Sequence, residues 1–290
     1  MLTVSFHSYK GGACRTSTCF NTLPFLVEQL GASAEKPILV LDTDLESQGL
    51  TYLFGEGHTF RNRTYDAKEL LSGKGMVDFK KVCVPVGDKL GVEKEAVYLL
   101  GVNDRKKFDA QNQGGQASEK LSNLENLPFS AIVYDTASGD QFSATITNKA
   151  SQVIVCCMRP TRQFCTGTFN FLGRVGEEWI MDDDEQLRRV ILVPTAVPGK
   201  EMWIEGLNQH QETREEIREE INGIEWEICE DFLGEEMFGV PEVERFKWRE
   251  DVLYRLKKEK KISDEKDALR ALECYERLAA SIIEEGEKVE

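Results

Sequence analysis

The feature that most constrains the fold of this chain is a loop near its N-terminus, which reads HSYKGGACRTST over residues 7–18. An apolar run leads into the loop, and a hydroxyl-rich segment that opens a helix follows it. Phosphate-binding loops have this layout, because glycines let backbone N–H groups approach an anion and the helix N-terminus supplies positive potential. The common pattern G-x-x-x-x-G-K-[ST] needs glycine at positions 9 and 14 and lysine at 15, where this chain has Tyr9, Cys14 and Arg15. The loop therefore indicates phosphate binding in a form that departs from the common pattern.

Short apolar runs alternate with longer helical patterns through the first 200 residues. The predicted strands are 2–8, 37–43, 97–103, 129–135, 152–158 and 189–195. The predicted helices between them are 16–30, 142–150 and 162–180, with a helical insertion and an edge hairpin over 55–95 and a polar loop leading to a short helix over 104–126. Continuous Val/Ile/Leu runs are typical of strands buried on both faces of a parallel sheet. The sequence therefore predicts an α/β fold with a doubly wound, mostly parallel sheet flanked by helices.

Two later segments place carboxylates where a phosphate-binding loop would need them. Asp42 and Asp44 follow the second predicted strand, and Asp135 ends the fourth, just before Gly139. Ligands of open α/β sheets bind beyond the carboxyl ends of the strands, so these segments and the loop can converge on one crevice. A loop for phosphates and carboxylates for a hydrated Mg²⁺ are what phosphoryl transfer requires.

With these residues in place, the sequence resembles the ParA/MinD group of P-loop ATPases of the SIMIBI class, which carry a deviant Walker-A loop. That loop reads K-G-G-x-G-K-[ST]-[ST], and residues 10–17 align with it without a gap. The D-x-D segment at 42–44 and the D-T-x-x-G segment at 135–139 also match. The match covers about residues 1–200 and 236–256, and Arg15 in place of the loop lysine is similar to a stand-alone branch of the group.

The resemblance implies a nucleotide, ATP, and a metal ion, Mg²⁺, together with the residues that hold them. The nucleotide-binding set is Lys10, Gly11, Gly12, Ala13, Cys14, Arg15, Thr16, Ser17, Gly139 and Pro241. The metal-binding set is Thr16, Asp42 and Asp135, and the catalytic set is Lys10 and Asp44.

Several of these positions have a defined role in the family, which the resemblance carries to this chain. Lys10 is expected to reach the nucleotide of a second subunit across a dimer, and Asp44 to position the attacking water. Gly139 is expected to sense the γ-phosphate, Ser17 to reach the α-phosphate, and Pro241 to help enclose the adenine.

Two positions depart from the family pattern. Cys14 puts a side chain where the family has glycine, so it is expected to crowd the loop or to require a backbone φ that suits cysteine poorly. Arg15 keeps the positive charge of the lysine in a larger, planar group. Together they predict slow hydrolysis more than lost binding.

Charge and cysteine content limit the partners and the cellular compartment that are expected for this chain. Residues 201–290 carry 27 acidic and 14 basic side chains, so nearly all of the net charge of −15 lies in the C-terminal third. Such a surface repels nucleic acid and anionic lipid. The eight cysteines form no C-x-x-C pair, there is no apolar run long enough to span a membrane, and no signal peptide is evident. These features predict a cytoplasmic protein.

The C-terminal third is expected to be helical and to pack on the sheet core, so that residues 1–290 form one domain. A charged helix is predicted over 205–222 and an amphipathic helix over 264–285, with Ser263 as its capping residue. Packing on the domain is the favoured role of the latter, and partner or dimer contact is the alternative. The one basic cluster of the sequence is Arg245, Lys247, Arg249, Arg255, Lys257, Lys258, Lys260 and Lys261. It is expected to be a solvated helix face, with Phe246, Trp248 and Tyr254 anchoring the segment to the core, and DNA or an acidic partner is the alternative.

Three functions follow. The leading hypothesis is an ATP-binding, slowly hydrolysing ATPase that switches as a nucleotide-dependent homodimer and has a protein partner that the sequence does not identify. The second is a non-catalytic nucleotide-binding or scaffold protein with a degenerate loop. The third is a DNA-associated partition-type protein, which the net charge disfavours.

Overall fold

The structure is a computed structural model that describes residues 1–54, 60–61, 63–76, 78–106, 108, 114–181, 188–198, 207–224, 228–234 and 237–289. The predicted polar loop over 104–126 and the predicted helix over 205–222 lie partly outside these residues. The strands of the described part are β1 (Leu2–His7), β2 (Ile38–Asp42), β3 (Val84–Pro85), β4 (Val97–Leu100), β5 (Ala131–Asp135), β6 (Val153–Met158), β7 (Arg189–Pro194) and β8 (Ile228–Cys229).

These strands form one sheet in the order β3-β4-β2-β5-β1-β6-β7-β8. Every neighbouring pair is parallel except β3 and β4 at one edge. The doubly wound, mostly parallel sheet is thereby confirmed, and the six predicted strands are all present. An edge hairpin is expected within 55–95, but β3 pairs antiparallel with β4, which begins at Val97, so the edge pair extends past that segment. Strand β8 was missed, because two residues are too few to produce a hydrophobic pattern.

Helices surround the sheet. They are α1 (Arg15–Leu30), α2 (Gly49–Phe54), α3 (Ala67–Leu71), α4 (Phe79–Val82), α5 (Gly87–Leu90), α6 (Gly114–Asn123), α7 (Phe142–Lys149), α8 (Arg162–Met181), α9 (Leu207–Asn222), α10 (Leu253–Lys258) and α11 (Lys266–Glu287). None of the described helices combines the length and the apolar character that crossing a membrane would need.

Successive side chains along each strand point to opposite faces of the sheet. Val4 and Phe6 point to one face and pack with α1, α10 and α11, in the largest apolar cluster. The opposite face has two smaller clusters, one beneath α3, α4 and α6 and one beneath α8 and α9. Ser5 and His7 of β1 lie on this second face, where Ser5 donates a hydrogen bond to Asn148 of α7. The central strands are therefore covered on both faces, as continuous apolar runs predict.

Helix α11 packs on α1, in agreement with the favoured expectation for the amphipathic segment. Its residues Ala268, Leu272, Tyr275, Leu278 and Ile282 are buried. Ser263 does not cap it: the residue before the helix is Glu265, without a side-chain cap. The hydroxyl of Ser263 donates instead to the carbonyl of Lys260, so the predicted cap was wrong because a local turn takes it.

Strand register brings the carboxyl ends of β1, β2 and β5 side by side. Asp135 of β5 is level with Phe6 of β1 and with Asp42 of β2. The loop after β1 and the acidic segments after β2 and β5 therefore open at one edge of the sheet.

Candidate functional site

The loop between β1 and α1 is shaped by two residues with left-handed backbone. Gly12 has a φ of 85°, and Cys14, the residue before the first turn of α1, has φ 53° and ψ 21°. A residue with a Cβ adopts this conformation at a cost of about 1–2 kcal/mol, which glycine does not have. The unfavourable φ expected at Cys14 is thus present, and the loop holds strain at the position where the family pattern has glycine.

Two later strands hold the carbonyl side of the loop. Thr195, directly after β7, donates its hydroxyl to the carbonyl of Ala13 at 2.8 Å, and Arg159, directly after β6, donates Nε–H to the carbonyl of Gly12 at 2.9 Å. Both residues were absent from the sequence prediction. Their positions in the sequence could have identified them as site residues, because each directly follows a strand that ends at the same edge of the sheet as β1.

The amide side of the loop has no such partners. None of the backbone N–H groups of residues 11–17 donates a hydrogen bond to a described residue, and the first helical bond runs from Thr18 N to Cys14 O. The hydroxyl of Ser17 donates to the same Cys14 carbonyl at 2.8 Å. A row of free amides at the N-terminus of a helix concentrates positive potential on the outer side of the loop.

Arg15 points the other way, into the protein. Its Nε donates to Asp135 Oδ1 at 2.7 Å and its Nη2 to Asp44 Oδ2 at 2.8 Å, with only 9% of its side chain exposed. Burial alone would lower the pKa of Arg15, but the two carboxylates outweigh it and raise that pKa. The arginine predicted to bind the nucleotide is therefore engaged by the carboxylates behind the loop.

The predicted metal ligands are likewise engaged with protein partners. Thr16 donates its hydroxyl to Asp135 Oδ2 at 2.8 Å, so both oxygens of Asp135 accept hydrogen bonds. Asp42 Oδ2 accepts from the amide and the hydroxyl of Thr51, at 2.7 and 2.6 Å. Asp42 Oδ1 is buried and has no partner in the part of the chain that the structure describes. Burial, aided by the charge of Asp135, raises the pKa of Asp42 to about 7.

These donors do not fit Mg²⁺ as they stand. The ion demands near-octahedral oxygen coordination, whereas Asp42 Oδ1 alone of the Asp42 and Asp135 oxygens has no partner. Within the described ranges, no group of three or more His, Cys, Asp or Glu side chains is arranged to hold a metal ion.

Asp44 is held by its own turn as well as by Arg15. Its two oxygens accept from the amide of Ser47 at 3.0 Å and from the hydroxyl of Ser47 at 2.7 Å. Burial would raise the pKa of Asp44, but the bonds from Ser47 and the charge of Arg15 outweigh it and lower that pKa. The turn ends at Gly49, where a Cβ would lie 2.9 Å from the Thr16 methyl, so glycine allows the Asp44 segment to close against Thr16.

The segment after β5 is tied to β1. Gly139, with φ 70°, donates its amide to the carbonyl of Ser8 at 3.0 Å, and Thr136 Oγ1 lies 3.0 Å from His7 Nδ1. His7 packs against Phe171 of α8, with ring centroids 4.7 Å apart. Burial, and then the charge of Arg15, lowers the pKa of His7 to about 3. The amide predicted to sense phosphate is thus engaged by the backbone beside the loop.

Lys10 and Pro241 each lie near an element that follows a strand of the site. Lys10 is exposed, and its Nζ is 5.8 Å from the centroid of the Phe164 ring on α8. Pro241 pairs with Val197 in an isolated bridge just beyond β7, the strand whose following Thr195 holds the loop. The structure therefore brings Pro241 to the same edge of the sheet as the loop.

The basic cluster at 245–261 is largely compensated by neighbouring acids. Arg245 pairs with Asp251 and Glu265, and Lys247 with Glu242 and Glu244. Other members pair in the same way: Arg255 and Lys261 with Glu259, and Lys258 with Glu28.

The aromatic residues of this segment behave differently from one another. Tyr254 is buried, as expected, and Phe246 packs partly against the core. Trp248 is 82% exposed, so the expectation that it anchors the segment was wrong. It follows a short 3₁₀ turn over Glu244–Lys247, in which the partly buried Phe246 contacts the core.

Comparison with known proteins gives the fold its name. No family model and no curated protein matches the sequence. Three similar solved structures are McdA of Cyanothece in complex with ATP (15% identity, TM-score 0.66, 97% of this chain and 96% of that chain covered), pNOB8 ParA bound to nonspecific DNA (14%, 0.64, 100% and 99%) and the cell division ATPase MinD of Pyrococcus furiosus (17%, 0.58, 98% and 98%).

At these identities the likeness defines the fold. The chain has the doubly wound fold of the P-loop ATPases. Within that class it has the ParA/MinD type of fold, so the resemblance seen in the sequence is confirmed at this level.

Proposed function

We propose that the chain binds ATP at residues 10–17 and acts as an ATP-dependent switch between monomer and homodimer. The row of free amides over residues 11–17, at the N-terminus of the 16-residue helix α1, carries this proposal. Backbone amides and a helix dipole stabilise phosphate charge without any further side chain. Lys10 and Arg159 add two exposed positive charges beside them. The ParA/MinD fold and the ATP complex of McdA support an adenine nucleotide as the ligand.

The dimer part of the proposal depends on Lys10. No described carboxylate pairs with it, and it lies at the outer edge of the loop near Phe164 of α8. A cation in this place is available to the phosphates of a nucleotide in a second subunit, as the family resemblance implies. Pro241 would then enclose the adenine within its own subunit. Residues 1–290 act as one ATPase domain in this proposal, because α11 packs on α1.

A non-catalytic nucleotide-binding protein is the second candidate, and the state of Asp44 favours it. This carboxylate accepts hydrogen bonds from Ser47 and Arg15, which leaves it less acceptor capacity for an attacking water. Competition from these partners makes slow turnover the expectation for the leading candidate. The DNA-associated alternative gains no support from the described residues, since the acids around 245–261 compensate that cluster.

The proposal is tested by calorimetric titration with ATP, combined with light scattering before and after ATP is added. We expect one ATP per chain, and a doubling of the molar mass that Lys10→Ala abolishes. Lys36→Ala is the matched control. Lys36 is exposed in the turn before β2, at the amino ends of the strands, whereas the loop lies at their carboxyl ends.

Phosphate release measured on the same samples separates the two candidates. Binding and dimerisation with slow turnover support the switch, and binding without turnover supports the non-catalytic protein. Absence of ATP binding contradicts both.

A further inference from the structure

The guanidinium of Arg15 lies among the oxygens that a divalent cation would need. Its Nε contacts Asp135, its Nη2 contacts Asp44, and the same Nη2 is 3.4 Å from the hydroxyl of Thr16. Thr16 and Asp135 belong to the predicted Mg²⁺ set, and Asp44 adjoins it. One side chain therefore places positive charge against three of the oxygen-bearing groups that meet at this edge of the sheet.

The planar fork of the arginine explains why it can do this. Two N–H groups in fixed directions reach two carboxylates at once, whereas the ammonium of a lysine is a single point charge. Asp135 is fully buried and Asp44 has only 7% of its side chain exposed. Two buried carboxylates without a positively charged partner would strongly destabilise the folded chain. Arg15 is also part of the chain, so it competes with a free ion at a high effective concentration.

We infer that Arg15 takes the place of the divalent cation, so that the chain binds ATP without Mg²⁺. This inference depends on the proposed ATP site. The triphosphate contacts the amides of residues 11–17, with Lys10 and Arg159 as its positive side chains, and Arg15 stays with Asp44 and Asp135 behind the loop. Arg15 thus neutralises the carboxylates, whereas Lys10 and Arg159 neutralise the triphosphate.

The test is ATP titration of the full chain in two buffers, one with excess EDTA and one with MgCl₂. We expect the two dissociation constants to agree within about threefold, because the site has its cation already. Arg15→Lys is expected to restore dependence on Mg²⁺, weakening binding in EDTA by about tenfold or more, since lysine leaves one carboxylate unpaired. Arg255→Lys, at an exposed position on α10, is the matched control and should behave as the wild type.

A thermal melt without nucleotide tests the inference independently of ATP binding. MgCl₂ is expected to leave the Tm of the wild type unchanged and to raise that of Arg15→Lys, because only in the variant does Asp44 or Asp135 lose its arginine partner and become available to the ion. Wild-type ATP binding that needs Mg²⁺, or a wild-type Tm that rises with MgCl₂, overturns the inference and leaves the proposed function standing. Absence of ATP binding in both buffers overturns the proposed function instead, and the melts alone then decide whether Arg15 occupies the cation position.

Discussion

The two sides of the phosphate loop differ in how their charges are satisfied. On the inner side Arg15, Asp44 and Asp135 are buried and paired with one another. On the outer side Lys10 pairs with no described carboxylate, and the amides of residues 11–17 donate to no described acceptor. The inner side therefore contributes to stability through its own ion pairs, whereas the outer side presents donors that are suited to binding an anion. Substitutions on the two sides should consequently affect different measurements.

The largest effect is expected from Arg15→Ala. The variant leaves two buried carboxylates without their cation, which should lower the free energy of unfolding by about 3–5 kcal/mol in urea titrations at neutral pH. Arg15→Lys should lose less, because one ion pair remains. Arg255→Ala is the surface control, for which a loss under about 1 kcal/mol is expected. Equal losses for Arg15→Ala and Arg255→Ala would show that the inner side is not the paired unit described here.

A pH effect of intermediate size is expected from His7, which lies beneath the loop. Its pKa is about 3 in the folded chain and 6.5 as a free side chain, so the unfolded chain alone takes up a proton between these values. Stability contributed by neutral His7 is thus present above pH 6.5 and falls as the pH drops toward 3, by up to about 1.4 kcal/mol per pH unit. The difference in unfolding free energy between the wild type and His7→Asn, followed from pH 7 to pH 5, isolates this contribution. A difference that does not vary with pH would contradict it.

Lys10→Ala on the outer side, and Arg159→Gln beside the Gly12 carbonyl, should weaken ATP binding without unfolding the chain. Each removes one positive charge next to the phosphates, for which a loss of about tenfold in affinity is expected. Urea midpoints should stay close to that of the wild type, since both side chains are exposed. Lys36→Ala is again the control. Wild-type affinity in both variants would place the phosphates elsewhere.

The smallest effect is expected from Cys14→Gly, which removes the strain between the two sides. Glycine accepts the left-handed backbone at this position, so the variant should gain about 1 kcal/mol of stability. Cys14→Ala keeps a Cβ and should gain nothing, which separates relief of strain from loss of the thiol. A gain of the same size in both variants would mean that the side chain, and not the backbone, is the cause.

The sequence predicted the fold more completely than the site. Strands such as β5 are short, continuous apolar runs between polar segments, which makes them recognisable in the sequence. The convergence of Asp42, Asp44 and Asp135 follows from the parallel arrangement of the strands. The sequence could not predict where the Arg15 side chain points. A cation at this position can contact either the carboxylates or a bound phosphate, and the distances in the folded chain decide between them. The unfavourable φ at Cys14 was predictable from the family's glycine. The exposure of Trp248 was not predictable, because it depends on the short 3₁₀ turn that precedes this residue.

A structure of the chain bound to a non-hydrolysable ATP analogue would show the position of Arg15 directly. We expect Arg15 to stay within hydrogen-bond distance of both Asp44 and Asp135, while the phosphates lie on the amides of residues 11–17 beside Lys10 and Arg159. A structure in which Arg15 has left both carboxylates to contact the phosphates would contradict this expectation.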